Sequence, residues 1–229
     1  MGKNILKDIY ACAKELVERH PKVAQKVLAA TYMGGDGMIL AMPAVEKGFF
    51  NTLYAGTPNW RLLENAYLDH PVPAIVSVIF IASAAVMAKS FSKGHAASLI
   101  GSSLLAIDLA YHSEIGPAIA LLPSLFAAGF GSIYAPLERV FGNTKRVFLR
   151  ESLGKPKRLT GGLFFAGNIP IMILAALSTP PDIGLCAAAG TWLAGNIVSM
   201  LLPKDRIAHP QRPSITTSQR RDPSGSHIG

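Results

Sequence analysis

The sequence predicts an all-α integral membrane protein of six transmembrane helices, arranged as two inverted halves of three. Three observations predict it. Half of the 229 residues are hydrophobic and only 16% are charged, against about 25% in soluble domains, so too few charges remain to cover a water-facing surface. The charges cluster at residues 1–26, at 137–159 and in the tail, and apolar blocks lie between them. Crossing ~30 Å of hydrocarbon takes roughly 20 helical residues, and these blocks approach that length. Finally, the basic stretch LERVFGNTKRVFLRESLGKPKRL, Leu137–Leu159, echoes an earlier loop. A hydrophobic soluble bundle would instead need amphipathic helices.

Residues 3–20 read as an amphipathic helix, with Ile5, Ile9, Cys12, Leu16 and Val17 on one stripe and Lys3, Lys7, Lys14, Glu15 and Glu18 elsewhere. Pro21 ends or kinks it, and the stripe suits a helix lying in the head-group layer. Residues 27–45 are apolar except for Asp36, which stands among Gly34, Gly35 and Gly37. Glycines weaken a helix, and a central Asp costs about 2.5–3.5 kcal/mol on insertion scales. Five clearer blocks follow: 71–89, 95–112, 116–136, 160–179 and 183–202. From Pro203 the chain is polar, proline-containing and aperiodic, which predicts disorder. The organisation expected is therefore a cytoplasmic helix at 1–26, halves at 27–112 and 113–202, and a disordered cytoplasmic tail at 203–229.

Loop charges decide whether 27–45 crosses. Seven bases in 137–159 place that loop in the cytoplasm. Counting backwards, the turn with Glu114 lies outside, the turn with Lys93 inside, and residue 70 outside. Only if 27–45 crosses do Lys3, Lys7, Lys14, Arg19, Lys22 and Lys26 fall inside. Forwards, the turn at 180–182 is outside and the basic tail inside. Six spans with both termini cytoplasmic, in a plasma (inner) membrane, satisfy every loop.

The repeat pairs Glu46-Lys47-Gly48-Phe49-Phe50-Asn51-Thr52 with Glu138-Arg139-Val140-Phe141-Gly142-Asn143-Thr144, and then Gly56-Thr57-Pro58-Asn59-Trp60-Arg61-Leu62 with Gly154-Lys155-Pro156-Lys157-Arg158-Leu159 across one gap. Both pairs follow the first span of a half. Halves with three spans each must be inverted, a plan used by many secondary transporters. A smaller echo, AGNIPIMIL at 166–174 against AGNIVSMLL at 194–202, reads as shared small-residue packing.

Asp36 is the sharpest candidate, since an acid inside a span is costly and marks a functional site. The flanking glycines predict an unwound helix there, the usual construction of a cation or proton site. Asp108 has His112 four residues on, on the same face, and Asp69, His70 and Glu114 are expected at the same outer surface. Asn168 and Asn196 lie inside spans five and six, and Asn196 occupies in its half the place of Asp108. Arg146, Arg150, Lys155, Lys157 and Arg158 are expected to bind anionic lipid head groups, at roughly 1 kcal/mol each.

Several classes are excluded. Asp36 and Asp108, with Gly-Gly-Asp-Gly around the first, are similar to the GxGD intramembrane aspartyl proteases over four residues only. Met33 fills the first glycine position and Ile107 the position of the second motif's Tyr, so the activity is not carried over. There is no HExxH, GxSxG or P-loop spacing, no pair of His at metal-ligand spacing on one helix, and no basic-aromatic patch for nucleic acid. Cys12 and Cys186 are too differently placed for a disulfide. The expectation is a non-enzymatic transporter or channel for a small solute or ion, with no cofactor. The competing class is a scaffold subunit of a larger membrane complex or homo-oligomer.

Overall fold

The computed structural model describes residues 2–69, 71–113, 118–119, 121–179 and 181–203. The expectations for His70, Glu114, Pro180 and the tail beyond Pro203 lie outside these residues. Among the described residues the chain is helical, without strands: α1 Gly2–Arg19, α2 Pro21–Glu46, α3 Phe49–Tyr54, α4 Trp60–Leu68, α5 Pro71–Met87, α6 Phe91–Tyr111, α7 Leu122–Ser132, α8 Tyr134–Phe141, α9 Val147–Ser152, α10 Pro156–Leu177 and α11 Ile183–Leu201. Local chemistry sets several starts. Pro21 and Pro156 open α2 and α10, where the missing N–H has no partner to lose. Asp182 caps α11 by accepting from the Leu185 N–H at 2.8 Å, and Asn59 caps α4 by accepting from that of Arg61 at 3.2 Å. Gly48, at φ +74, turns α2 into α3, a conformation that favours glycine.

Six of these helices close a ring. In the order α2, α5, α6, α7, α10, α11, each packs against its neighbours, and α11 returns to α2. Pairs of contacts give the directions. Gly94 of α6 rests on Met87 of α5, and Gly101 on Phe80. On α2, Thr31 meets Gly195 of α11 while Met42 meets Gly184. Gly161 meets Met200, and Met172 lies beside Cys186. These three neighbouring pairs therefore run antiparallel. One end of the ring is tied by a cluster of Val17, Ala24, Leu28, Met87, Phe91 and Leu202, which brings α1 onto it.

The packing is inside-out by the standard of a soluble protein. The buried positions are mostly small or hydroxylic: Ala84, Ala127, Ala128, Ala188, Ala189, Ser83, Ser102 and Ser199. Large apolar side chains such as Ile75, Ile100, Ile107, Phe126, Leu174 and Ile197 point outward. Small residues let helix backbones approach closely where no hydrophobic effect drives them together.

Among the described residues two helices, α10 and α11, are long and apolar enough to cross a membrane alone; a third is counted if α4 and α5, which meet at 96°, form one broken span. The six expected spans are thus not six of equal apolarity. α5 has 17 residues, short of roughly 20. α2 and α6 spend positions on Gly35, Asp36, Gly94, His95, Ser98, Gly101 and Ser102, which are buried against neighbours. The expected break at Asp36 is corrected: α2 is continuous through Gly34, Gly35 and Gly37. Gly35 serves close packing instead, because a Cβ there would strike Thr191 and Trp192 of α11.

Candidate functional site

The ring helices surround a partly open cavity of about 270 Å³, lined by residues from all six of them. Its walls are largely apolar, with Val76, Phe80, Leu105, Phe164, Ile171 and Leu185 among them. Into this surface project Asp36 and Tyr32 from α2, Ser77 from α5, His95, Ser98 and Ser102 from α6, Ser124 from α7, Asn168 from α10 and Trp192 from α11.

Asp36 is 8% exposed, and its Oδ1 accepts the indole N–H of Trp192 at 3.1 Å. One turn earlier, the Tyr32 hydroxyl donates to Asn196 Oδ1. These two bonds, with the glycine contacts of Gly35 and Gly195, fix the seam between α2 and α11 and hold the carboxylate at the cavity wall. The two AGN triplets do parallel work. Gly167 meets Ser124 of α7 and Gly195 meets Thr31 of α2, while Asn168 and Asn196 are both buried.

His95 has no counterpart among the sequence candidates. It is 1% exposed, its ring is edge-on to Phe91 at 4.4 Å and stacked on Phe164 at 5.7 Å, and Gly131 leaves room for it. Neither ring nitrogen has a hydrogen-bond partner among the described residues, nor does Asn196 Nδ2. A buried polar group left unmatched costs about 1–3 kcal/mol, a cost carried by the fold here because these atoms present no accessible surface. The available signal was its place as the first residue of the 95–112 block, where an imidazole has no structural need to be. Tyr32 and Trp192 were also missed, because aromatics in apolar blocks resemble ordinary core.

The other predicted residues lie elsewhere. Asp108 and His112 form their own pair at 3.7 Å, with the His side chain 62% exposed, and neither lines the cavity. Asp69 pairs with Lys47 at 2.7 Å. Arg146, Arg150 and Arg158 are exposed and Lys155 is half-buried. Lys157 is drawn inside: it is 8% exposed, 5.2 Å from the Tyr134 ring and 5.7 Å from that of Phe91, and its ammonium donates to the Pro203 carbonyl at 3.4 Å. A second hollow beside it, at the tied end of the ring, is lined by Lys14, Glu18, Glu138, Lys155, Lys157 and Arg158. Among the described residues no three His, Cys, Asp or Glu side chains gather into a metal-binding group. Comparison with known proteins finds no matching family model, curated relative or solved structure.

Proposed function

We propose that all six ring helices cross the bilayer as two inverted three-helix halves, with both termini cytoplasmic, and that the central cavity admits a small solute or ion whose charge is selected by Asp36. The observation that carries this reading is the buried Asp36 carboxylate on a cavity to which every ring helix contributes. Intramembrane acids are held at a cost and mark solute or proton paths. Three further features support the reading. The outward faces are apolar while the interior is small and hydroxylic, the arrangement that lipid rather than water requires. The antiparallel packing puts Lys89, Lys93, Lys155 and Arg158 at the end where α1 packs, and Lys47, Asp69 and Asp182 at the other, a basic asymmetry of the cytoplasmic kind. The exposed Ile5, Ile9 and Leu16 of α1, with Val147 and Phe148 of α9, suit helices lying in the interface beside anionic head groups.

The purified chain, reconstituted alone into liposomes, is expected to raise the permeability to small cations over protein-free vesicles. Unchanged permeability across a panel of cationic, neutral and anionic solutes would favour the non-catalytic scaffold. Topology is tested separately. A cysteine at Gly56 should react with an impermeant thiol reagent from outside intact cells, whereas one at Lys155 should not. Equal labelling at both would end the six-span, inverted arrangement, because the two GxP stretches must face opposite compartments.

A further inference from the structure

Resting on that reading, we infer that the solute is a small organic cation with an apolar body, such as an arylalkyl amine, rather than an inorganic ion or an anion. The chemistry of the lining argues for it. Asp36 is the one formally charged carboxylate among the described lining residues, and no Lys or Arg joins it. An anion would meet no fixed positive charge there. A bare metal cation needs about six or more converging oxygen ligands if it is Ca²⁺, or a near-ideal octahedron if it is Mg²⁺, and this lining offers one carboxylate, its other oxygens being neutral hydroxyls and an amide spread over the ring helices. An organic ammonium needs less: one carboxylate, aromatic rings and apolar surface. Tyr32, Phe80, Phe164 and Trp192 line the same cavity. The His95 ring lines the same wall, its two nitrogens presenting no accessible surface. The cavity's volume of about 270 Å³ exceeds the roughly 150 Å³ of an apolar cavity known to admit benzene, so an arylalkyl guest fits.

The test uses the reporter that the site contains. Trp60 and Trp192 are the two tryptophans, and Trp60 is 63% exposed on α4, so Trp60→Phe leaves Trp192, bonded to Asp36, as the sole indole. The full-length variant in detergent is titrated with phenethylamine, its near-isosteric alcohol 2-phenylethanol, and phenylacetate, following Trp192 fluorescence. Phenethylamine is expected to bind about 10- to 100-fold more tightly than the alcohol, the range of a charge-assisted hydrogen bond, and phenylacetate more weakly still. The preference should disappear in Asp36→Asn and persist in Asp36→Glu. Equal binding of amine and alcohol, or tighter binding of phenylacetate, overturns the inference. So does a Trp192 response to sodium or calcium chloride with none to the amine, or no response to any probe. The comparison needs only the Trp60→Phe protein, so it stands even where an Asp36 variant does not fold. Amine binding without passage through liposomes upholds the ligand class and removes the transport reading alone.

Discussion

Gly161→Leu is expected to unfold or severely destabilise the protein, while Gly162→Leu, one residue along the same helix, leaves it intact. A Cβ on Gly161 would lie 2.8 Å from the Asn196 carbonyl oxygen and 2.9 Å from the Met200 nitrogen. Both are backbone atoms of α11, so no rotamer change relieves the collision. Forcing bulk into a packed seam costs about 1–3 kcal/mol, and here the helices themselves must part. Their separation would also disturb Ser199, whose hydroxyl donates to the Lys157 carbonyl at 3.2 Å, and Asn196, which holds Tyr32. Gly162 has open space within 4 Å of its would-be Cβ, and leucine is the better helix former by roughly 0.8 kcal/mol. Thermal unfolding in detergent separates the two. Equal midpoints would mean that α10 and α11 are not packed backbone to backbone.

The same seam explains what the residue order could and could not reveal. Apolar blocks at 160–179 and 183–202 carry their own length and hydropathy, and α10 and α11 follow them within a few residues. Residues 27–45 were a harder case, since three glycines around an acid satisfy two opposite descriptions: a helix that unwinds, and a helix that another approaches closely. Pattern alone cannot separate them; the partner does. Trp192, 156 positions away, both fills the space above Gly35 and bonds Asp36, so the helix stays whole. The same distance in sequence hid the cavity. Asp36, Asn168 and Asn196 stood out because a polar atom inside an apolar block is conspicuous anywhere, yet which of them share a wall depends on ring closure. Asp108 was equally conspicuous and belongs elsewhere, paired with His112. The repeat was legible as words but not as geometry. GTPNWRL leads into α4, a separate helix set at 96° to α5, whereas GKPKRL runs directly into α10.

Asp36→Asn is expected to leave the protein inserted and folded, yet to abolish its charge selectivity and the part of the pH-dependence of passage that Asp36 carries. Asn keeps the shape of the carboxylate and retains an oxygen to accept the Trp192 N–H, so the α2–α11 seam need not open. What it loses is the charge and the capacity to bind a proton. A buried carboxylate facing a cationic guest contributes on the order of 1.5–3 kcal/mol as a charge-assisted hydrogen bond, so discrimination between a cation and a neutral solute of the same size should fall by about 10- to 100-fold. The other titratable groups on the cavity, Tyr32 and His95, remain in the variant and serve as internal controls for the pH profile. The measurement is flux into liposomes across a pH series, wild type against variant, with insertion checked by thermal unfolding. A purely structural Asp36 predicts the reverse pattern: lower stability or yield, with an unchanged profile in the protein that survives. Full retention of the wild-type profile would move the solute path away from α2. The non-catalytic membrane scaffold would then lead, because among the described residues the cavity lining has no second carboxylate to carry the selection.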